Sequence, residues 1–115
     1  MKTKFGWVEI DSIRYDYDVI IHADRTVTKR SKKPSKKLKK TYGHTPLSEH
    51  ELEFLEAEHP DCVYIGTGQY GDLPITPEAM ALLEQHDLII RPTPIIMDLI
   101  DEDCRHFVAL IHVSC

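Results

Sequence analysis

Cys62-Val63-Tyr64-Ile65-Gly66-Thr67-Gly68-Gln69-Tyr70-Gly71-Asp72-Leu73-Pro74-Ile75-Thr76-Pro77 is the stretch on which the fold turns. Its first four residues are a short apolar run that ends in glycines, which is how a buried strand reads. Thr76-Pro77 then opens a helix, with Thr as N-cap and Pro at the first helical position, where no N–H is needed. Met80 and Leu83 lie on one face of that helix. A strand, a glycine loop and a helix in that order set up an α/β alternation, and the chain continues it. Leu88-Ile89-Ile90 reads as the next strand. Thr93-Pro94 repeats the helix-start device, and Ile96, Met97, Leu99 and Ile100 give that helix a broad apolar stripe. Phe107-Val108-Ala109-Leu110-Ile111-His112-Val113 is apolar nearly throughout, as a central strand covered on both faces must be.

Upstream, Ser48-Glu49-His50-Glu51 is a capping box, with Leu47 and Leu52 spaced for a hydrophobic staple. The helix it starts is expected to run to about Glu58, before Pro60. The first part of the chain looks like β-structure. Phe5, Trp7, Glu9 and Ile10 suggest one strand, and Ile13 to Asp18 alternates as a second. Val19-Ile20-Ile21-His22 suits a third, more buried strand, and Thr26-Val27-Thr28 a fourth. A hairpin-rich start followed by α-β-α-β-α-β predicts a small three-layer α/β domain. It would hold one mixed sheet, N-terminal hairpins and about three helices. At 115 residues the chain, 1–115, suffices for one such domain and not for two.

Charge is segregated. Residues 29–40 hold eight basic residues and no acid: Lys29, Arg30, Lys32, Lys33, Lys36, Lys37, Lys39 and Lys40. Without those eight charges the net charge of −5 becomes −13, so an acidic body carries one basic appendage. That body would repel nucleic acid and anionic lipid. Leu38 is the only large apolar residue of 29–40, so 29–42 is expected to be an exposed, mobile loop. Its lysines are candidates for charge-driven contact with an acidic protein, a neighbouring copy or phosphate backbones. Without interleaved aromatics, nucleic-acid binding would be weak and salt-dependent.

No apolar run approaches the roughly 20 residues of a membrane helix. The N-terminus lacks the apolar stretch of a signal peptide. Three cysteines, odd in number and widely spaced, do not form a disulfide framework. A cytoplasmic protein without a membrane partner is expected. His112-x-x-Cys115 and Cys104-x-His106 carry metal-ligand residue types. Residues three apart on a strand face opposite sides, however, so no metal site is assigned. His112 is read instead as a packed or hydrogen-bonded sheet residue. Cys115, His112, His44 and Thr67 supply residue types for nucleophilic chemistry, but the sequence does not show that they meet. Glu49, Glu51, Glu53, Glu56 and Glu58 look like the solvated face of a helix. No catalytic residue is assigned.

Gly66-Thr67-Gly68-Gln69-Tyr70-Gly71 matches G-x-G-x-x-G after a strand, and Arg91 stands where it would meet a 2′-phosphate. In a dinucleotide site the third glycine already lies in the helix. Here two prolines defer the helix, so no dinucleotide or other cofactor is assigned. The alternatives are a tight turn that requires positive φ and a loop that cradles a small anion or polar ligand.

Ile65-Gly66-Thr67-Gly68-Gln69-x-Gly71, the helix start at Thr93 and the ending Leu110-Ile111-His112-Val113-Ser114-Cys115 together resemble the MTH-nine-three-eight-like domain family. Trp7, Asp18-Val19-Ile20-Ile21, the basic stretch around Arg30, and Gly43-His44 ahead of a capped helix agree with it. The resemblance covers nearly the whole chain and departs at the long lysine-rich insert. It implies a compact three-layer α/β fold around a mixed sheet. On function it implies little: most members are uncharacterised, and relatives include a mitochondrial complex I assembly factor and an adipogenesis-associated protein, neither with an established catalytic role. The expectation is a binding or assembly-type domain with a recognition surface at Gly66, Thr67, Gly68, Gln69 and Gly71, joined by Thr93 and His44. An unidentified protein is the leading partner and a small anion the alternative. A small enzyme or ligand sensor at the same loop, and nucleic acid at the lysines, are the competing readings.

Overall fold

The computed structural model describes residues 1–103 and 105–114. In chain order the strands are β1 (Lys2–Lys4), β2 (Trp7–Ile10), β3 (Ile13–Tyr15), β4 (Val19–Ile21), β5 (Val27–Lys29), β6 (Cys62–Thr67), β7 (Asp87–Arg91) and β8 (Phe107–His112). The helices are α1 (Lys39–Tyr42), α2 (Phe54–Glu58), α3 (Pro77–Leu83) and α4 (Thr93–Asp101). Two 3-10 segments, Lys33–Leu38 and Glu49–Glu51, precede α1 and α2. The readings that involve Cys104 and Cys115 lie outside the described residues.

β8 is the middle strand of a five-stranded sheet ordered β5-β4-β8-β6-β7. It pairs antiparallel with β4 and parallel with β6. The parallel β6–β7 pair needs a crossover, which α3 supplies. Successive residues of β6 and β8 alternate between two cores, which is why both strands read as unbroken apolar runs. Cys62, Tyr64, Phe107, Ala109 and Ile111 face Ile96, Met97 and Ile100 of α4, with Val8 and Ile10 beside them. Val63, Ile65, Val108 and Leu110 face Leu47, Leu52, Leu55, Ala79 and Leu83. Three layers result, as the sequence implies. Among the described residues, no helix is long and apolar enough to cross a membrane.

Four expectations need correction. β1, β2 and β3 do not join the mixed sheet but form a separate three-stranded antiparallel sheet, because short hairpins pair locally and then cover one core together with α4. The alternating run from Ile13 leaves the sheet after Tyr15, since Asp18 turns inward to meet Arg30 and Val113. The helix expected from Ser48 to Glu58 is broken into Glu49–Glu51 and α2. Its capping box is present, but the Glu51 carboxylate reaches beyond it to Arg30 and Ser35. Finally, 29–42 is not a loose loop. It folds into Lys33–Leu38 and α1, ended by Gly43 at φ +77°. Its anchor is polar: the fully buried Ser35 hydroxyl lies 2.6 Å from the Ser48 Oγ and donates to Glu51 Oε2 at 2.6 Å. The three helices expected correspond to α2, α3 and α4, to which the one-turn α1 is added.

This anchoring is testable with trypsin, for which the segment offers many sites. In the folded protein, cleavage within residues 32–40 should be slow. Ser35→Ala should accelerate it by about tenfold, the equivalent of losing one buried hydrogen bond to a charged group. Equally fast cleavage in folded and unfolded protein, read by mass spectrometry, would show that the segment is not anchored.

Candidate recognition site

Arg30, Asp18 and His112 sit side by side across the ends of β5, β4 and β8, in a row that extends the ladders Val19↔Lys29 and Val19↔Ile111. The row is polar at the rim of an apolar core, so each group must be paired. The Arg30 Nη1 donates to Asp18 Oδ2 at 2.8 Å and the Nε to Glu51 Oε1 at 2.6 Å. The Nη2 donates to Glu51 Oε2 at 3.0 Å and to the Pro46 carbonyl at 3.1 Å. His112 Nδ1 donates to Asp18 Oδ2 at 2.7 Å, and the Val113 N–H donates to Asp18 Oδ1 at 2.9 Å. Among the described residues no buried side-chain nitrogen or oxygen lacks a partner.

The side chains of Arg30, Asp18 and Glu51 are 1, 2 and 3% exposed, so this is a buried charge network. Burial by itself would raise the Asp18 carboxyl. The hydrogen bond and charge of His112, the Val113 N–H and the Arg30 guanidinium outweigh it and hold the group far below the usual carboxylate range. Burial likewise disfavours the Arg30 charge, but Glu51 and Asp18 overcome it and raise the guanidinium further.

Over this network opens a cavity of about 650 Å³. Its lining includes Lys29, Lys32, Lys33 and Lys36 with Gly6, Tyr17, Val113 and Ser114, and also Arg30 and the acids Asp16 and Asp18. Lys32 Nζ stands 3.6 Å from Asp18 Oδ2, and Lys29 Nζ lies 5.0 Å from the centre of the Tyr17 ring. Lys37, Lys39 and Lys40 do not line it. Of the eight basic residues expected to make partner contacts, Arg30 also lines the cavity, but its side chain is buried and its planar fork is shared between two carboxylates.

The glycine loop lies behind the same chain end. The Gly68 N–H donates to Thr93 Oγ1 at 3.0 Å, and that hydroxyl donates to the His112 carbonyl at 2.7 Å. The Thr93 N–H returns to the Gly68 carbonyl at 2.9 Å, and the Gln69 N–H reaches the Ser114 carbonyl at 3.3 Å. The Gln69 side-chain amide donates to Thr3 Oγ1 at 3.0 Å, and the Leu73 N–H to the Thr67 carbonyl at 3.0 Å. Gly68 and Gly71 have φ of +101° and +77°, as the turn reading expects. A Cβ on Gly66 would meet Thr93 Oγ1 at 2.8 Å, so that glycine admits the close approach of α4. Thr93 is therefore a clamp and not an N-cap; Pro92 occupies the cap position of α4. α3 begins only at Pro77, its Thr76 Oγ1 accepting from the Ala79 N–H at 3.1 Å. Arg91 donates to the carbonyl of its own neighbour Ile90. His44 is exposed.

Two exposed aromatics escaped the sequence reading. Tyr70 of the loop is 74% exposed and Phe5 59%, with ring centres 6.0 Å apart. Both adjoin the cavity wall, because the Gly6 N–H bonds the Val113 carbonyl at 2.7 Å and Gln69 bonds Ser114. The single Arg among seven lysines, and an acid directly before a buried strand, were the signals that could have revealed the Arg30–Asp18 pair. At the opposite end of the sheet, Arg105 ties Asp103, Asp87, Cys62 and Tyr64 together. Burial, followed by the hydrogen bond to Asp103, pushes the Tyr64 hydroxyl up to about 12. Burial also pushes the Cys62 thiol up, opposite to what a reactive thiolate needs.

The buried network and the clamp can each be tested by substitution. The folded Asp18 pKa is depressed, so its contribution to stability is present above the unfolded value near 3.8 and is lost as pH falls below it. Asp18→Asn should therefore cost about 1–3 kcal/mol near neutral pH, by weakening the acceptor that Arg30, His112 and the Val113 N–H share while Glu51 still pairs the guanidinium, and should flatten the acid limb of a stability–pH curve. For the clamp, Gly66→Ala should cost about 1–3 kcal/mol through overpacking. In denaturant melts the double variant Gly66→Ala/Thr93→Ala should be less destabilised than the sum of the two singles, because the clash partner is gone; simple additivity would break the link.

No family model matches the sequence, and no curated protein matches it closely enough to count as a relative. Among solved structures, the conserved hypothetical protein PH1505 from Pyrococcus horikoshii OT3 is 34% identical, with all of this chain and 98% of that one aligned at a TM-score of 0.87. MT938 is 30% identical, over all of this chain and 96% of that one, with a TM-score of 0.82. A Mth938-like domain from Bordetella pertussis shares the fold at 16% identity, 96% and 82% coverage and a TM-score of 0.55. The likeness to the first two runs over the whole of this chain, and the chain belongs to the Mth938-like domain family.

Proposed function

We propose that this chain is a protein-binding domain that takes an acidic segment of its partner into the lysine-lined cavity, with the Phe5–Tyr70 pair as a neighbouring anchor. The observation that carries this reading is the anchoring, by the buried Arg30 and Ser35, of the backbone that sets Lys29, Lys32, Lys33 and Lys36 around a ready-made cavity. An anchored backbone loses less freedom on binding than a mobile loop, so more of the electrostatic attraction becomes affinity. The paired aromatic rings offer an amphipathic anchor next to that charge, the combination common at the centres of protein interfaces.

This reading keeps the binding role expected from the sequence and moves its centre. The loop's backbone donors are used in the joint with α4 and the chain end, which favours a supporting role for Gly66, Gly68 and Thr93. Tyr70, rather than the glycines, carries the loop's part in recognition. A small anion alone would engage the lysines but not the aromatic pair.

The experiment is fluorescence anisotropy with a labelled glutamate-rich peptide containing one leucine. Lys32→Glu/Lys36→Glu should weaken binding at least about tenfold at low salt, and Tyr70→Ala by about threefold to tenfold with little change in salt dependence. Binding unaffected by both changes would overturn the reading. Competition by inorganic phosphate with no effect of Tyr70→Ala would favour a small anion instead.

A further inference from the structure

The lysines that do not line the cavity point to a second surface. Between α2 and α3 runs a groove of about 360 Å³ whose floor is Leu52, Leu55 and Leu82 and whose rim carries Glu49, Glu53 and Glu56. Leu82 is 38% exposed at its lip. No lysine or arginine lines the groove, and of its three rim glutamates Glu49 has His50 Nε2 at 3.7 Å. An apolar floor under an acidic rim fits a basic segment that also bears an apolar or aromatic side chain. This chain has such a segment: Lys37, Lys39 and Lys40 lie outside the cavity, and Tyr42 at the end of α1 is 36% exposed.

We infer that the α2–α3 groove is the docking site for the 37–42 segment of a second copy of this chain. Tyr42 inserts over Leu82, and Lys39 and Lys40 face Glu53 and Glu56 of the other copy. Segment and groove lie on contiguous surface, because Lys33–Leu38 rests on Glu49–Glu51 through the Ser35 hydroxyl. A two-fold axis beside Glu49 therefore brings both segments onto both grooves at once, as an isologous dimer requires. The contact is charge-driven, so it is salt-sensitive. It uses none of the residues that line the lysine cavity and does not depend on the reading proposed for it.

The test is sedimentation equilibrium of the full chain at about 50 and about 500 mM salt. The wild type should dimerise at low salt, with a dissociation constant raised about tenfold or more at high salt. Glu53→Lys/Glu56→Lys and Lys39→Glu/Lys40→Glu should each be monomeric, because like charges then meet in the homodimer. Mixed together, they should form a heterodimer, since each basic surface then meets an acidic one. Circular dichroism and thermal melts of the two variants separate loss of association from loss of fold. A wild type that stays monomeric at low salt overturns the inference. A dimer indifferent to both reversals, or reversed variants that fail to pair when mixed, overturns it as well.

Discussion

The buried guanidinium of Arg30 is the contact on which the ordered parts of this molecule converge. One planar group bonds Asp18 at the start of β4, the Glu51 carboxylate of the capping-box turn and the Pro46 carbonyl ahead of it. Through Asp18 it also reaches His112 and the Val113 N–H at the end of the central strand. Three segments distant in sequence are thereby held at one level across the sheet. An isolated buried ion pair adds little net stability, because desolvation cancels most of the attraction. The value of this one is geometric. Removing either carboxylate leaves buried donors short of an acceptor, so the arrangement tolerates few alternatives. A lysine could not replace the arginine, since three donors on a flexible stem cannot span two carboxylates and a carbonyl in one plane.

The sequence was most legible where the signal is local. β6 and β8 are apolar over consecutive residues because each lies between two cores, and the Thr76-Pro77 start follows from capping chemistry that needs no partner. Legibility failed where a polar side chain answers to a distant group. Glu51 looks like one more exposed glutamate of a helix face, yet its side chain is among the most buried charges in the chain. Ser35 sits among lysines with nothing nearby to mark it as an anchor, and its partners lie 13 and 16 residues away. The alternation from Ile13 suggested a half-buried strand, but Ile13 is 56% exposed because the small sheet needs only Val8 and Ile10 to cover its core.

The glycine loop separates a sequence pattern from the chemistry that the pattern usually serves. G-x-G-x-x-G lets backbone approach something closely, and in a dinucleotide site that something is a pyrophosphate. Here it is the hydroxyl of Thr93. The absence of a side chain at Gly66 and the positive φ of Gly68 let one threonine bond the loop and the end of β8 together. Thr93 looked like a helix cap because Pro94 follows it, but proline is equally at home one position further in. The loop's donors are thus engaged within the fold, and what it presents outward is the ring of Tyr70.

An acidic body with a basic appendage poses an electrostatic problem that the fold resolves by placement. On a free loop, eight positive charges would be drawn to the domain's own excess of acid, and any partner would have to compete with that attraction. Burying Arg30 against Asp18 and Glu51 satisfies the nearest acids internally, and Ser35 ties the backbone of the lysine-rich segment to Ser48 and Glu51. The lysines then divide into two groups, one around the cavity and one along the outer side of α1. The backbone that carries them is held by the Ser35 bonds and the helical turns. A backbone fixed in folding has already given up the freedom that a loose basic loop would lose on meeting a partner, so the placement of these charges, and not only their number, decides what they offer.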